Sequence, residues 1–98
     1  MSAYDDDSLV VPDGGRVRGL RHHRGWSRRD LAEAVARASE RATGCRETLS
    51  LNLLGGIEEM NEPVPFATLR LIAGGLDCEP IELAREPAAN DDGEPASG

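Results

Sequence analysis

Apolar residues recur with helical spacing after Ser27, and this stretch is the clearest structural signal in the chain. Four residues follow the i, i+3, i+4, i+7 pattern of a helix with one buried face: Leu31, Ala34, Val35 and Ala38. Ser27 and Asp30 have the spacing of a capping box, in which each side chain accepts a hydrogen bond from the backbone N–H of the other. The pattern predicts a helix that is capped by Ser27 and ends at Thr43-Gly44.

Shorter helical patterns occupy much of the remaining chain. They cover residues 15–23, 49–60, 65–73 and 80–84. In the first, the arginines are expected to point mostly outward and Gly25 to act as the C-cap. In the third helix of the chain, Leu53, Leu54, Ile57 and Met60 share a face, and Gly74-Gly75 is expected to end the fourth. No stretch alternates with a period of two over a useful length, so we expect no sheet and an all-α, compact bundle of about five short helices.

Both ends of the chain differ in composition from its middle. Residues 1–13 contain four aspartates and little to bury, and residues 86–98 are mostly Pro, Ala, Gly, Asn and acidic residues. Such segments cannot bury enough apolar surface to offset the entropy of ordering. We therefore expect a disordered acidic segment at 1–13, a folded domain at 14–85 and a disordered acidic tail at 86–98.

Charge is unevenly distributed along the sequence, although the net charge of the whole chain is −7. Residues 14–46 contain nine arginines and three acidic residues, whereas residues 1–13 sum to −4 and residues 47–98 to −9. A basic block of this kind favours a phosphate-bearing partner. All eleven basic residues are arginine, which suits bidentate binding of phosphate or carboxylate, but a GC-rich or salt-adapted genome would produce the same bias.

Several classes of function find no support in the residues. No apolar run approaches the roughly 20 residues that cross a membrane, and the acidic start differs from a signal peptide, so we expect a cytoplasmic protein with no membrane partner. Cys45 and Cys78 are expected to be reduced thiols, and neither they nor His22-His23 have the spacing of a zinc site. Without a Gly-rich phosphate loop, a nucleophile elbow or a convincing carboxylate pair, we expect no enzyme, no metal and no cofactor.

The order of these signals resembles the Cro/repressor-type (XRE) helix-turn-helix family. The matching stretches, which together span roughly residues 15–84, are 16–25, 26–32, 57–58, 65–76 and 80–83. This resemblance implies a lambda-repressor-like helix-turn-helix fold and a DNA-binding transcriptional regulator. It also implies a homodimer on double-stranded DNA, because one recognition helix reads only a half-site.

The sequence departs from the family pattern where that function would lie. About a dozen extra residues, around 37–48, separate the second helix from the third, so either the second helix is longer or a loop is inserted. The recognition helix would map to residues 48–59, where leucines outnumber the polar side chains that usually read bases.

Six residues are candidates for DNA contacts. Arg28 and Arg29 follow the cap of the second helix, where the family commonly places a phosphate contact, although they equally fit a solvated helix face. The candidate base readers are Arg46, Thr48, Ser50 and Asn52, although a loop and a packed surface are the alternative at these positions. The alternative to DNA binding is a helix-turn-helix-derived protein-interaction module, whose leucine-rich third helix docks a partner protein or a second copy.

Overall fold

The computed structural model describes residues 5–85, and these form a mostly helical domain. The elements in chain order are β1 (Leu9–Val10), α1 (Gly14–His23), α2 (Arg28–Thr43), α3 (Leu51–Met60), β2 (Val64–Pro65), α4 (Phe66–Leu76) and a 3-10 helix (Pro80–Leu83). The predicted helical character is confirmed. The number of helices is not, because residues 5–85 contain four α-helices and the predicted fifth helix is a 3-10 turn.

The expectation of no sheet is wrong, because β1 and β2 form a small antiparallel sheet. Val10 pairs with Val64 and Leu9 with Pro65, and a further bridge joins Pro12 to Ala84. Two-residue strands are too short to show a period of two, so the pattern of apolar residues contained no sign of them. Val10 is buried, so part of the segment expected outside the domain packs on it. The predicted tail at 86–98 lies outside the described residues.

The core forms where α2 lies along α4 and α1 packs against α3. Its fully buried large side chains come from every helix: Val17, Leu31, Val35, Leu54, Ile57, Leu69, Ile72, Leu76 and Leu83. Between residues 5 and 85, no helix is both long enough and apolar enough to span a bilayer. Both cysteines are free thiols.

The predicted limits of α2 are confirmed. Ser27 Oγ accepts the backbone N–H of Asp30 at 3.1 Å, and Asp30 Oδ2 accepts that of Ser27 at 2.9 Å. The helix ends at Gly44, which adopts the left-handed conformation at φ 84°. Residues 37–43 thus belong to α2, and a loop over 44–50 leads into α3. In α1, Arg24 is the C-cap, and Gly25 follows it with φ 71°.

Two expectations about the later helices are wrong. Met60 is 71% exposed instead of sharing the buried face of α3 with Leu54 and Ile57. The fourth helix continues through Gly74 and Gly75 to Leu76 instead of ending at the glycine pair. A Cβ on Gly75 would lie 2.8 Å from Val35 Cγ2 and 2.9 Å from Val35 N, so this glycine allows α4 to approach α2 closely.

Candidate nucleic-acid interface

A buried ion pair joins α1 to α3. Arg21 Nε and Nη2 donate to Glu58 Oε2 and Oε1, each at 2.8 Å, and Arg21 Nη1 donates to the Trp26 carbonyl at 2.7 Å. The Arg21 and Glu58 side chains are only 8% and 0% exposed. The expectation that Arg21 points outward is therefore wrong, because its length carries the guanidinium to an acid in the core.

Glu58 is shared by two arginines. In addition to Arg21, Arg28 Nε donates to Glu58 Oε1 at 3.1 Å. Burial opposes ionisation of this carboxyl, but the hydrogen bonds and the positive charges of Arg21 and Arg28 together outweigh burial and hold its pKa below the usual range. Glu58 is therefore a buried carboxylate with its charge satisfied, and it fixes α3 to α1 and to the start of α2.

Arg28 also contacts the next acid along α3. Its Nη2 forms an ion pair with Glu59, so its guanidinium lies between two carboxylates. Hydrogen bonding to Glu59 and then to Glu58 raises the pKa of Arg28. The guanidinium passes over Gly55, since a Cβ there would lie 3.4 Å from Arg28 Nη1. Arg28, a candidate phosphate contact, is thus held against α3 by Glu58 and Glu59.

The other candidate residues have different surroundings. Arg29 is exposed and has no ion-pair partner between residues 5 and 85. Arg46 pairs with Glu33 at 2.7 Å and with Glu40 at 3.4 Å, both on α2, and these contacts, Glu33 foremost, raise its pKa. The Arg46 guanidinium is therefore paired with acids of α2.

The three polar candidates near the start of α3 also differ in role. Ser50 is the N-cap of α3, and its hydroxyl accepts the backbone N–H of Leu53 at 3.0 Å. Thr48 and Asn52 are exposed. The Asn52 amide is thus exposed in the first turn of α3 without a hydrogen-bond partner in residues 5–85, whereas the Ser50 hydroxyl accepts the capping hydrogen bond of α3.

The structure brings Arg28 and Asn52 to one surface. Gly55 and Glu59 follow Asn52 by three and seven residues, so all three lie on one side of α3. Arg28 contacts that side at Gly55 and Glu59. We call this the α2–α3 surface and define it by Arg28, Asn52, Gly55 and Glu59. Arg29 follows Arg28 in the first turn of α2.

Glu58 was expected to have a structural role, but its burial against an arginine was not predicted, although its spacing along α3 indicates a buried position. Ile57 and Glu58 follow Leu54 by three and four residues, so the three positions lie on one buried face of α3. An acid on such a face requires a cationic partner. Nothing in the sequence, however, identifies which of the many arginines supplies it.

A cavity of about 450 Å³ lies between the C-terminal half of α2 and α4. It is lined by Ala38, Ser39, Ala42, Thr43, Glu47, Ala67, Arg70, Leu71 and Gly74. The Ser39 and Thr43 hydroxyls already bond to backbone groups of this chain. The charged residues of the lining, Arg70 and Glu47, have opposite signs, so the lining favours neither an anionic nor a cationic ligand.

Comparisons of this chain with protein-family models, curated proteins and solved structures find no match. Within the described part of the chain, no group of three or more His, Cys, Asp or Glu side chains is placed to hold a metal ion. The helix-turn-helix relationship therefore stays a prediction from the sequence, and the α2–α3 surface is the candidate site that follows from it.

Proposed function

We propose that this protein binds double-stranded DNA through the α2–α3 surface, as a transcriptional regulator of the helix-turn-helix type. The observation that carries the proposal is the reach of Arg28 from the start of α2 to Gly55 and Glu59 of α3. It joins the capped N-terminus of one helix and the outer face of the next into a single surface. Such a surface can meet a phosphate and a base edge together.

The start of α2 supplies the phosphate contacts in this proposal. A helix N-terminus favours anions because its dipole and its free N–H groups both attract negative charge. Arg29 is exposed there without an ion-pair partner in residues 5–85. Its guanidinium can form a bidentate pair with a phosphate, without first breaking a contact inside the protein.

Base reading in this proposal falls mainly to Asn52. An exposed asparagine can form two hydrogen bonds to adenine in the major groove. The two positions nearest to it on the exposed side of α3 offer no group that reads a base, since Gly55 has no side chain and Leu51 is apolar and 43% exposed. We therefore propose binding dominated by phosphate contacts, with weak sequence preference and with two copies needed to cover two half-sites.

Arg29→Ala is expected to weaken binding to all duplexes alike. Because one phosphate contact is lost, the slope of log K against log salt should become shallower by about 1. The measurement is fluorescence anisotropy with two unrelated labelled duplexes over a range of salt concentrations. Arg41→Ala is the matched control, because Arg41 is exposed without an ion-pair partner in residues 5–85, at the other end of α2. Absence of binding by the wild-type protein at micromolar concentration and low salt would refute the proposed function.

A second candidate function is self-association through α3. Leu51 is 43% exposed in the first turn of the helix, and residues 5–85 contain eleven arginines but fourteen acidic residues, which disfavours a polyanion. On this proposal the apolar start of α3 packs against a second copy of the chain.

Leu51→Asp is expected to convert such a dimer into a monomer, because it places a charge at the apolar contact. Sedimentation velocity over a range of protein concentrations measures the change. Met60→Asp is the matched control, since Met60 is exposed at the opposite end of α3. A wild-type monomer at all concentrations, or a dimer unaffected by Leu51→Asp, would exclude this candidate.

A further inference from the structure

We infer that Glu59 competes with DNA phosphate for Arg28 and so lowers the affinity of the protein for every duplex. The inference rests on the proposed function and deepens it, because it names a residue of the same surface that sets binding strength. Its carboxylate occupies one side of the Arg28 guanidinium. Carboxylates and phosphates both bind arginine through this planar group.

The two acids that pair with Arg28, Glu58 and Glu59, differ in burial and in their number of other partners. Glu58 is fully buried and keeps two hydrogen bonds from Arg21 when Arg28 moves. The Glu59 side chain is 59% exposed, and Arg28 is its one ion-pair partner within residues 5–85. The Glu59 contact can therefore open to solvent while the buried ion pair stays intact.

Before DNA binds, the Arg28 guanidinium already donates to two carboxylates, and a phosphate has to replace one of them. Arg28 uses Nε for Glu58 and Nη2 for Glu59, so it can retain the first bond and exchange the second. Exposed ion pairs are weak and screened by salt, which makes this exchange feasible. The exchange leaves the Glu59 carboxylate facing the DNA backbone without a partner, and this repulsion opposes binding.

The competition does not depend on base sequence. Phosphates are the same at every position of a duplex, so an acid that masks a phosphate contact weakens binding to all sequences equally. Glu59 thus reduces non-specific binding without altering the contacts that Asn52 can make. A neutral residue at this position would produce a tighter but no more selective protein.

The test compares Glu59→Gln with Glu62→Gln in the full-length protein. Both changes remove one exposed negative charge near the end of α3, but Glu62 has no ion-pair partner between residues 5 and 85. Glu59→Gln is expected to tighten binding to two unrelated duplexes about three- to fivefold. It should also steepen the salt slope by about 1, since the Arg28–phosphate contact then no longer frees a carboxylate that takes up a cation from solution. Glu62→Gln should produce a smaller change.

An Arg28→Gln background then separates competition from simple charge removal. If Glu59 acts through Arg28, Glu59→Gln should have no more effect in this background than Glu62→Gln has in the wild type. Equal tightening by Glu59→Gln and Glu62→Gln, or tightening by Glu59→Gln that persists with Arg28→Gln, would overturn the inference. Thermal unfolding of each variant verifies that it is folded.

The outcomes for the inference and for the proposed function are distinguishable. A wild-type protein that binds DNA and is unaffected by Glu59→Gln refutes the inference alone. If neither the wild type nor Glu59→Gln binds either duplex at low salt, DNA binding itself is refuted and the inference with it. Binding by Glu59→Gln but not by the wild type would support both.

Discussion

Arg21→Met is expected to lower the free energy of unfolding by about 3 kcal/mol. The variant leaves the Glu58 carboxylate buried without the two hydrogen bonds that Arg21 donates, and it also leaves the Trp26 carbonyl without its donor. Removing one partner of a buried ion pair costs more than the pair contributes, because the other charge stays in the core. Urea denaturation followed by circular dichroism measures the change. A loss below about 1 kcal/mol, as for an exposed ion pair, would contradict the burial of this pair.

The double variant Arg21→Met/Glu58→Leu is the control for this prediction. It replaces both charges by apolar side chains next to Leu54 and Ile57, which are already buried. Such a replacement is often close to neutral, so the double variant should be more stable than Arg21→Met alone. If the two changes instead add, the cost arises from lost packing and not from a buried carboxylate that has lost the hydrogen bonds of Arg21.

The same ion pair predicts a dependence of stability on pH. The pKa of Glu58 is lower in the folded protein than in an unfolded chain, so its contribution is fully present above the unfolded value of about 4.3. The contribution is lost as the pH falls through the folded-state pKa. The stability difference between wild type and Glu58→Gln should therefore shrink as the pH falls below about 5.

Gly75→Ala is expected to destabilise the protein by about 1–3 kcal/mol. The added methyl group would meet the backbone and side chain of Val35, with Val35 N at 2.9 Å and Val35 Cγ2 at 2.8 Å. Backbone atoms cannot turn away as a flexible side chain can, so α4 would have to move from α2. Thermal unfolding should show a lower melting temperature.

Gly74→Ala is the matched control, because it makes the same chemical change one residue earlier in α4. Its methyl group would lie 3.7 Å from Ala38 Cβ, an ordinary contact. Alanine also favours a helix interior over glycine by about 0.5–1 kcal/mol. Gly74→Ala should therefore stabilise the protein, and opposite signs for the two variants would confirm the close approach of the helices. Equal effects would contradict it.

The parts of the fold that follow from the sequence are those decided within a few residues. The capping box at Ser27 and Asp30, the buried positions of Leu31 and Val35, and the end of α2 at Gly44 all depend on neighbours within one or two turns of helix. The mostly helical class follows from such local patterns. Local patterns do not predict the two-residue strands, because these strands are stabilised by pairing between residues 54 positions apart, Val10 and Val64.

The candidate site could be predicted only in part. Arg28 and Arg29 stand at a helix N-terminus, and Asn52 stands in the first turn of α3, as the resemblance implied. Their electrostatic state could not be read from the chain, since Arg28 pairs with acids 30 and 31 residues away and Arg46 with acids on α2. Spacing along a helix predicts which residues share a face, but it does not predict which distant charges meet that face.

By itself, the sequence determined the helical class, the position and caps of α2 and the separation of a basic block from acidic flanks. Only the tertiary structure decided that Arg21 is buried against Glu58, that Gly75 lies inside a helix and that Arg28 is held between two carboxylates. The physical reason is the separation along the chain over which each interaction acts. Caps and helical periodicity act between neighbours in the chain, whereas the partner of a buried charge and the space beside a glycine are set by elements that meet only when the chain has folded.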